Sequence, residues 1–373
     1  MKVLWLSHVA PSSEGWQGSR QQHLARHLSQ TCELHWIDWT RGWSRATSGK
    51  VDVPQLGTVH GCQVPPTLNR IARRHYPPDW SLVLSQASYR KAIKRVIDLE
   101  RPNVIVWSSS HHMTGYPPFD TGVPAVYDHI DACPQWVVAT FASHSDEIIV
   151  VSPNLLESVS RAKVPVHVVP NGVELKRYVA LDRLEAKRSL GLEGTNVVSL
   201  IGLTCSPDLY FVDAVAKTQD IANLSLLIVG GGRNADAIRS KAIALGIRRF
   251  VAVGPVPSSD VVRFFAASDI GLYPGEDIEY YRHASPLKIV EYAAAGCQVV
   301  SSPVDMFIDG WPCVRITPPT ADNFASSILE CISHPRQAPD LSPLGWETLS
   351  ADFYAVLKRV ALGSAQTSGS RGK

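Results

Sequence analysis

Lys288 and Glu291 stand three residues apart in the run Ser285-Pro286-Leu287-Lys288-Ile289-Val290-Glu291-Tyr292-Ala293-Ala294-Ala295-Gly296, which leads into the β-branched pair Val299-Val300. Ser285 is a good N-cap, Pro286 suits the first helical position, and Gly296 ends a helix. Lys288 then falls at the third helical position, where a capping box takes Glu or Gln and the positive helix end disfavours a cation. A lysine added to free backbone N–H groups makes an anion site, and phosphate is the anion it suits. Glu291 lies on roughly the same helix face, where its carboxylate can accept from ribose hydroxyls. A nucleotide diphosphate would satisfy both. The same spacing also describes an i,i+3 surface pair on an ordinary helix.

A second group of chemical residues is Tyr127-Asp128-His129-Ile130-Asp131 at the end of a buried strand. Open α/β sheets place functional groups there, and two carboxylates with an imidazole could deprotonate an acceptor hydroxyl. Asp131 could instead be the N-cap of a following helix. His111 and His112 follow Trp107-Ser108-Ser109-Ser110, again just past a strand end. One of them could bond an acceptor or a transferred sugar; both could equally be satisfied loop residues. They have no third ligand at metal spacing, so a metal centre is not expected. Glu276, Asp277 and Glu279 read as a solvated acidic loop rather than a cation site. Arg282 beside them could pair with a uronate carboxylate. Gly230-Gly231-Gly232 lacks the rest of a dinucleotide fingerprint and reads as a tight strand–helix connection.

Strand and helix patterns alternate from end to end, which predicts parallel sheets covered by helices. In the first half, strands are expected at Lys2–Leu6, Glu33–Asp38, Val104–Trp107, Val123–Tyr127, Glu147–Val151 and Val166–Val169. A helix should start at Ser19, where Ser19 and Gln22 form a capping box. Residues 41–80, rich in Pro, Gly, Trp and Arg, read as an irregular excursion. The helix around Ser88–Leu99 has a basic face of Arg90, Lys91, Lys94 and Arg95, which is either an ordinary solvated helix face or a contact for anionic lipid. Pro170-Asn171-Gly172 turns the chain into a second block, with strands at Val197–Ile201, Ser225–Val229, Phe250–Val253, Ile270–Tyr273 and Gln298–Ser301. Gly202 ends the first of these, either as a turn or where bare backbone meets a diphosphate.

The chain's 373 residues allow two domains, each with its own core. Seven dispersed cysteines suggest reduced thiols, no signal peptide is read at the start, and no apolar run is long enough to span a bilayer, so a cytoplasmic protein is expected. Net charge is +2 but uneven: residues 1–101 carry 14 Lys and Arg against 7 acidic residues. An anionic surface or substrate is expected there, and no nucleic-acid motif accompanies the charge.

The Lys288 segment resembles the donor motif of GT-B glycosyltransferases, in the form Ser-Pro-Leu-Lys-x-x-Glu-Tyr-x-Ala-x-Gly-x-x-Val-Val found among family-4-like and xanthan-type glucuronosyltransferases. Val169-Pro170-Asn171-Gly172-Val173 resembles the hinge of that family. Gly254-Pro255-Val256 with Ala267-Ser268-Asp269-Ile270-Gly271-Leu272 resembles its base-binding loop and following strand. Gly18-Ser19-Arg20-Gln21-Gln22-His23-Leu24-Ala25 is similar to the acceptor-side loop and helix, and Trp346-Glu347 to the start of the terminal helix.

The resemblance implies two Rossmann-like domains with a cleft between them and a C-terminal helix crossing back. An acceptor domain of residues 1–172 with 346–362, a donor domain of 173–345 and a disordered tail at 364–373 are expected. It also implies a donor site of Lys288, Glu291, Ser285, Pro286, Leu287, Gly202, Pro255, Val256 and Arg282. Gly18, Arg20 and His112 would lie on the acceptor side. Asp131 would be the base, with Asp128 and His111 as further catalytic candidates. Where retaining members carry a first Glu, this chain has His283, which favours inversion. The expected reaction moves a sugar from a nucleotide-diphosphate donor, UDP-glucuronate being one candidate, to a lipid-linked or glycan hydroxyl without a metal. Contact with the anionic inner face of the cytoplasmic membrane is the corresponding expectation for the basic first domain. The alternatives are a retaining hexosyltransferase using GDP-mannose or UDP-glucose, a nucleotide-sugar 2-epimerase, and an inactive partner subunit.

Overall fold

A computed structural model describes residues 1–7, 19–38, 50–62, 78–109, 118–179, 181–202, 205–231, 233–304, 310–334, 337 and 339–368. The chain divides into two compact units, Met1–Pro170 with Trp346–Lys373, and Asn171–Gly345.

The first unit contains β1 (Lys2–Leu6), α1 (Arg20–Leu28), β2 (Glu33–Asp38), β3 (Lys50–Val53), β4 (Gly57–Gly61) and α2 (Pro78–Glu100). It continues with β5 (Val104–Ser109), β6 (Ala125–His129), α3 (Gln135–Ser143), β7 (Glu147–Val150) and β8 (Val166–Val168). The sheet order is β3-β4-β2-β1-β5-β6-β7-β8. Every pairing is parallel except β3 with β4. Leu4, Leu6, Ile105, Trp107, Tyr127 and Ile148 point to one face and bury against α2 and α3. The opposite face carries Trp5, stacked 4.8 Å from Trp36. Alternate residues of one strand thus feed two cores, as a sheet covered on both sides requires.

The second unit holds α4 (Arg183–Ser189), β9 (Asn196–Ile201), α5 (Tyr210–Thr218), β10 (Leu224–Val229), α6 (Arg233–Ala244), β11 (Phe250–Val253) and α7 (Val261–Ala267). There follow β12 (Ile270–Tyr273), α8 (Glu279–Arg282), α9 (Leu287–Ala294), β13 (Gln298–Ser301), β14 (Val314–Ile316) and α10 (Ala321–Ser333). Its sheet, ordered β11-β10-β9-β12-β13-β14, is wholly parallel. Val197, Ile201, Leu227 and Phe264 share one core, and Val198, Leu200, Leu226 and Phe324 the other. The last helix, α11 (Trp346–Ser368), packs in the first unit against α1 and the strands β5 to β7. Phe353 of α11 stacks 5.3 Å from Trp5, and Trp346 lies flat on His23 at 5.0 Å. Arg359 grips Glu147 through Nη2 at 2.7 Å.

Ser19 caps α1 through the Gln22 N–H, as its spacing predicts. Three expectations are corrected. Residues 50–61 are not irregular: Lys50–Val53 and Gly57–Gly61 pair antiparallel as β3 and β4, with Val51 and Val53 on the less exposed side of β3 and Val59 to Gly61 buried in β4. The strand expected from Val123 begins at Ala125 and runs to His129, since Asp146 accepts from the Ala125 N–H and sets the pairing there. The tail expected to be disordered from 364 is helical to Ser368; Ala and Gln extend an existing helix at little cost. Among the described residues, no helix is long and apolar enough to cross a membrane.

Candidate functional site

The helix that carries Lys288 starts one residue later than the sequence pattern suggests. Pro286 is extended (φ −70°, ψ 116°) and occupies the cap position, and no side chain caps α9. Ser285 is occupied elsewhere: its hydroxyl accepts from the Asn171 N–H at 3.4 Å, and its carbonyl from Asn171 Nδ2 at 2.6 Å. Ser285 is therefore a clamp on Asn171 rather than the helix cap. Leu287 opens the helix and Lys288 is its second residue, among the N–H groups that have no intrahelical acceptor.

Lys288 Nζ lies 3.0 Å from Glu291 Oε2. The other oxygen, Oε1, accepts from the Tyr178 hydroxyl at 3.3 Å. Burial and then the Glu291 charge push the Tyr178 phenol well above its ordinary range, so it stays a donor. The Lys288 ammonium also sits 5.4 Å above the Phe265 ring. Gly202, just past β9, has φ +78°, and a Cβ built there would stand 3.2 Å from Lys288 Cε. The glycine that ends the first strand of this unit and the lysine that opens α9 are thus neighbours. A cation, an acceptor carboxylate, bare backbone and a helix N-terminus converge at one place.

Tyr292 makes that convergence rigid. Its hydroxyl accepts from the Ile201 N–H at 3.0 Å and donates to the Ser199 carbonyl at 3.0 Å. The side chain next to Glu291 is therefore bolted to the strand residue next to Gly202. A Cβ at Gly271 would lie 2.3 Å from the Tyr292 ring, so only glycine lets the ring pass over β12. Tyr292 was present in the sequence motif without an assigned role; Tyr178, 113 residues from Glu291, had no signal in the sequence.

The remaining donor-side candidates lie in the same unit. Pro255 packs its ring against Gly231, and Val256 packs on the core that holds Ile289 and Tyr292. Arg282 closes α8 and pairs through Nε with Asp277 Oδ1 at 2.6 Å, so a uronate would have to compete with that carboxylate. Asp277 belongs to the acidic loop.

In the first unit, Asp128 is fully buried. Its Oδ1 meets Arg20 Nη2 at 3.2 Å and its Oδ2 accepts from Ser108 Oγ at 3.0 Å. Ser108 Oγ in turn accepts from Trp5 Nε1 at 2.7 Å, and Arg20 Nη1 donates to the Pro170 carbonyl at 2.9 Å. This charge pair anchors α1 to β6 and to the end of the unit. Asp128 has no exposed surface with which to meet a substrate, and Arg20, expected on the acceptor side, is itself buried. His129 is equally enclosed, bonded to the Tyr127 hydroxyl at 2.9 Å and to Ser158 Oγ at 3.0 Å. Burial pushes its imidazole down to about 4. Asp131 differs: it is half-buried in a bend past the strand end. It is not a helix cap, because α3 begins after Pro134. Gly18, His111 and His112 lie outside the described residues.

Residues 208–334 match the family described as glycosyl transferases group 1. No curated protein matches the chain. Among solved structures, the chain is similar to sucrose-phosphate synthase from Thermosynechococcus elongatus, with 14% identity and a TM-score of 0.69 over 99% of this chain and 98% of that one. It is similar to alpha,alpha-trehalose 6-phosphate synthase from Burkholderia multivorans, with 14% identity and a TM-score of 0.70 over 98% of each. It is also similar to Anabaena HepE in complex with UDP and glucose, with 14% identity and a TM-score of 0.61 over 99% of this chain and 100% of that one. The chain has the GT-B glycosyltransferase fold, and the match to the group 1 family falls within its second unit.

Proposed function

We propose that this protein is a glycosyltransferase that moves a sugar from a UDP-sugar to a hydroxyl acceptor. The observation that carries the reading is the meeting of Lys288, Glu291 and Gly202 at the N-terminus of α9. The diphosphate would lie on the free N–H groups and the Lys288 ammonium, and ribose hydroxyls would donate to Glu291. A likeness in fold to HepE, solved with UDP and glucose, supports a uridine donor.

In the reaction the acceptor oxygen bonds to the anomeric carbon while the bond from that carbon to the diphosphate oxygen breaks. The electron pair leaves with UDP, and the acceptor proton passes to a base. Asp131 is the carboxylate proposed for that role, since Asp128 is held by Arg20. Lys288 and the helix end would stabilise the leaving diphosphate, so transfer is proposed to need no divalent cation. The residue eight positions before Glu291 is His283, which favours inversion over a retaining mechanism. UDP-glucuronate as donor, a lipid-linked or glycan acceptor, and contact with anionic membrane through the basic face of α2 complete the proposal.

Incubation with labelled UDP- and GDP-sugars and candidate acceptors tests it. Transfer from a UDP-sugar is expected, with the product's anomeric configuration opposite to the donor's. Epimerisation of the free nucleotide sugar, or binding without turnover, would replace the proposal by one of its rivals.

A further inference from the structure

Away from the donor site, β2, β4 and the end of α2 bring His35, His60 and Glu100 together. Among the described residues they are the group of His, Cys and acidic side chains able to hold a metal ion, with one ligand atom from each within 4.8 Å of the others. The register explains the meeting. His60 pairs with Ile37 on the neighbouring parallel strand and with Lys50 on the antiparallel one. The chain then returns along α2 to place Glu100 beside both histidines. All three residues are buried.

The geometry has features of a transition-metal site. His35 Nδ1 and His60 Nε2 face each other at 3.1 Å. Two nitrogens bound to one tetrahedral zinc at ~2.0–2.1 Å stand roughly 3.3 Å apart. A carboxylate oxygen of Glu100 is 3.8 Å from His60 Nε2. The far nitrogen of His35, Nε2, meets Glu33 Oε1 at 3.2 Å. That contact holds the proton on Nε2, leaves Nδ1 as a lone pair, and is the carboxylate–histidine arrangement that orients metal-bound imidazoles.

Two cations also face the cluster. Lys50 Nζ lies 3.1 Å from one Glu100 oxygen and Lys2 Nζ 3.7 Å from the other. Both lysine side chains and that of Glu33 are at least one-third exposed, so they can swing into water and open a path to the cluster. Each ammonium is paired with a Glu100 oxygen that a metal would take as a ligand. Binding of a metal would then compete with them, and the proton on His60 Nε2 would move to Nδ1 or to solvent.

We propose that His35 Nδ1, His60 Nε2 and a Glu100 oxygen form a site for one zinc-class divalent ion, completed by a water, which clips β2, β4 and α2 together. Cobalt is the probe, because its tetrahedral complexes absorb visibly and distinguish this site from exposed histidines. The full chain, dialysed against chelator, is titrated with CoCl2 and then with ZnCl2. One equivalent of cobalt should produce tetrahedral bands that zinc abolishes. His60→Gln and Glu100→Gln should each weaken binding at least tenfold, with folding checked by circular dichroism. Lys50→Ala, a change at a half-exposed side chain, should tighten binding at least threefold by removing the competing ammonium. That variant keeps the idea testable if the others do not fold. Parent protein without tetrahedral bands, or cobalt affinity unmoved by Lys50→Ala, would overturn the site and leave a self-satisfied hydrogen-bonded cluster.

Discussion

Replacing Lys288 with alanine should weaken UDP binding by an amount that can be worked from its surroundings. A charge-assisted contact to phosphate is worth about 1.5–3 kcal/mol. In the free protein the ammonium is spent on Glu291 at 3.0 Å, with the lysine side chain 36% exposed. Such an i,i+3 pair contributes only about 0.2–0.5 kcal/mol, which the phosphate must outbid. The net loss is then about 1–2.5 kcal/mol, a rise in Kd of roughly 5- to 70-fold. Isothermal titration of UDP against parent and variant measures it directly. Lys217→Ala removes an exposed lysine of the same unit, paired with Asp322, and should leave Kd unchanged. Added salt should weaken the parent more than the Lys288 variant, because the charge–charge contribution is then screened. A Lys288 variant that is folded and binds UDP as tightly as the parent would refute the donor site, and with it the reading of Glu291 and Gly202.

Asp131→Asn should abolish transfer with UDP binding retained, and unchanged turnover would remove Asp131 as the base. Asp128→Asn should instead lower stability by about 3–5 kcal/mol, because it removes the buried carboxylate charge that faces the Arg20 guanidinium; a urea midpoint equal to the parent's would contradict that. His129 titrates at about 4 in the folded state against an ordinary value of 6.5. Its contribution to stability is present above pH 6.5 and is lost as pH falls through about 4, a change of about 3 kcal/mol. Urea unfolding across that range should show the slope, and His129→Gln should flatten it. Changing Arg90, Lys91 and Lys94 to glutamine should reduce sedimentation with anionic vesicles while sparing UDP binding. Arg95 is kept, since it donates to the Gly61 carbonyl. Equal recovery of parent and variant would leave this face as ordinary solvated surface.

Much of the architecture is legible in the sequence. Short β-branched runs separated by helical periods announce parallel strands, because residues buried on both faces leave no polar alternation to misread. Phe250–Val253, Ile270–Tyr273 and Gln298–Ser301 fall where that pattern puts them. β3 and β4 were hidden because glycine and polar residues mask the alternation of two short strands. Lys288 and Glu291 were legible for a local reason: the chemistry of a helix N-terminus is written in consecutive residues.

Long-range contacts decided the rest. Ser285 looked like a cap, yet its hydroxyl is bonded to Asn171, and no local rule weighs a partner 114 residues away. Asp128 and Asp131 are indistinguishable as letters at a strand end. The alternation of a strand points one of them inward to Arg20, while the bend beyond leaves the other half-buried. Burial and partner, which determine whether a carboxylate is an anchor or a reagent, are properties of the packed sheet. The same holds for His35, His60 and Glu100, spread over 66 residues of chain and brought together by strand register and the return of one helix.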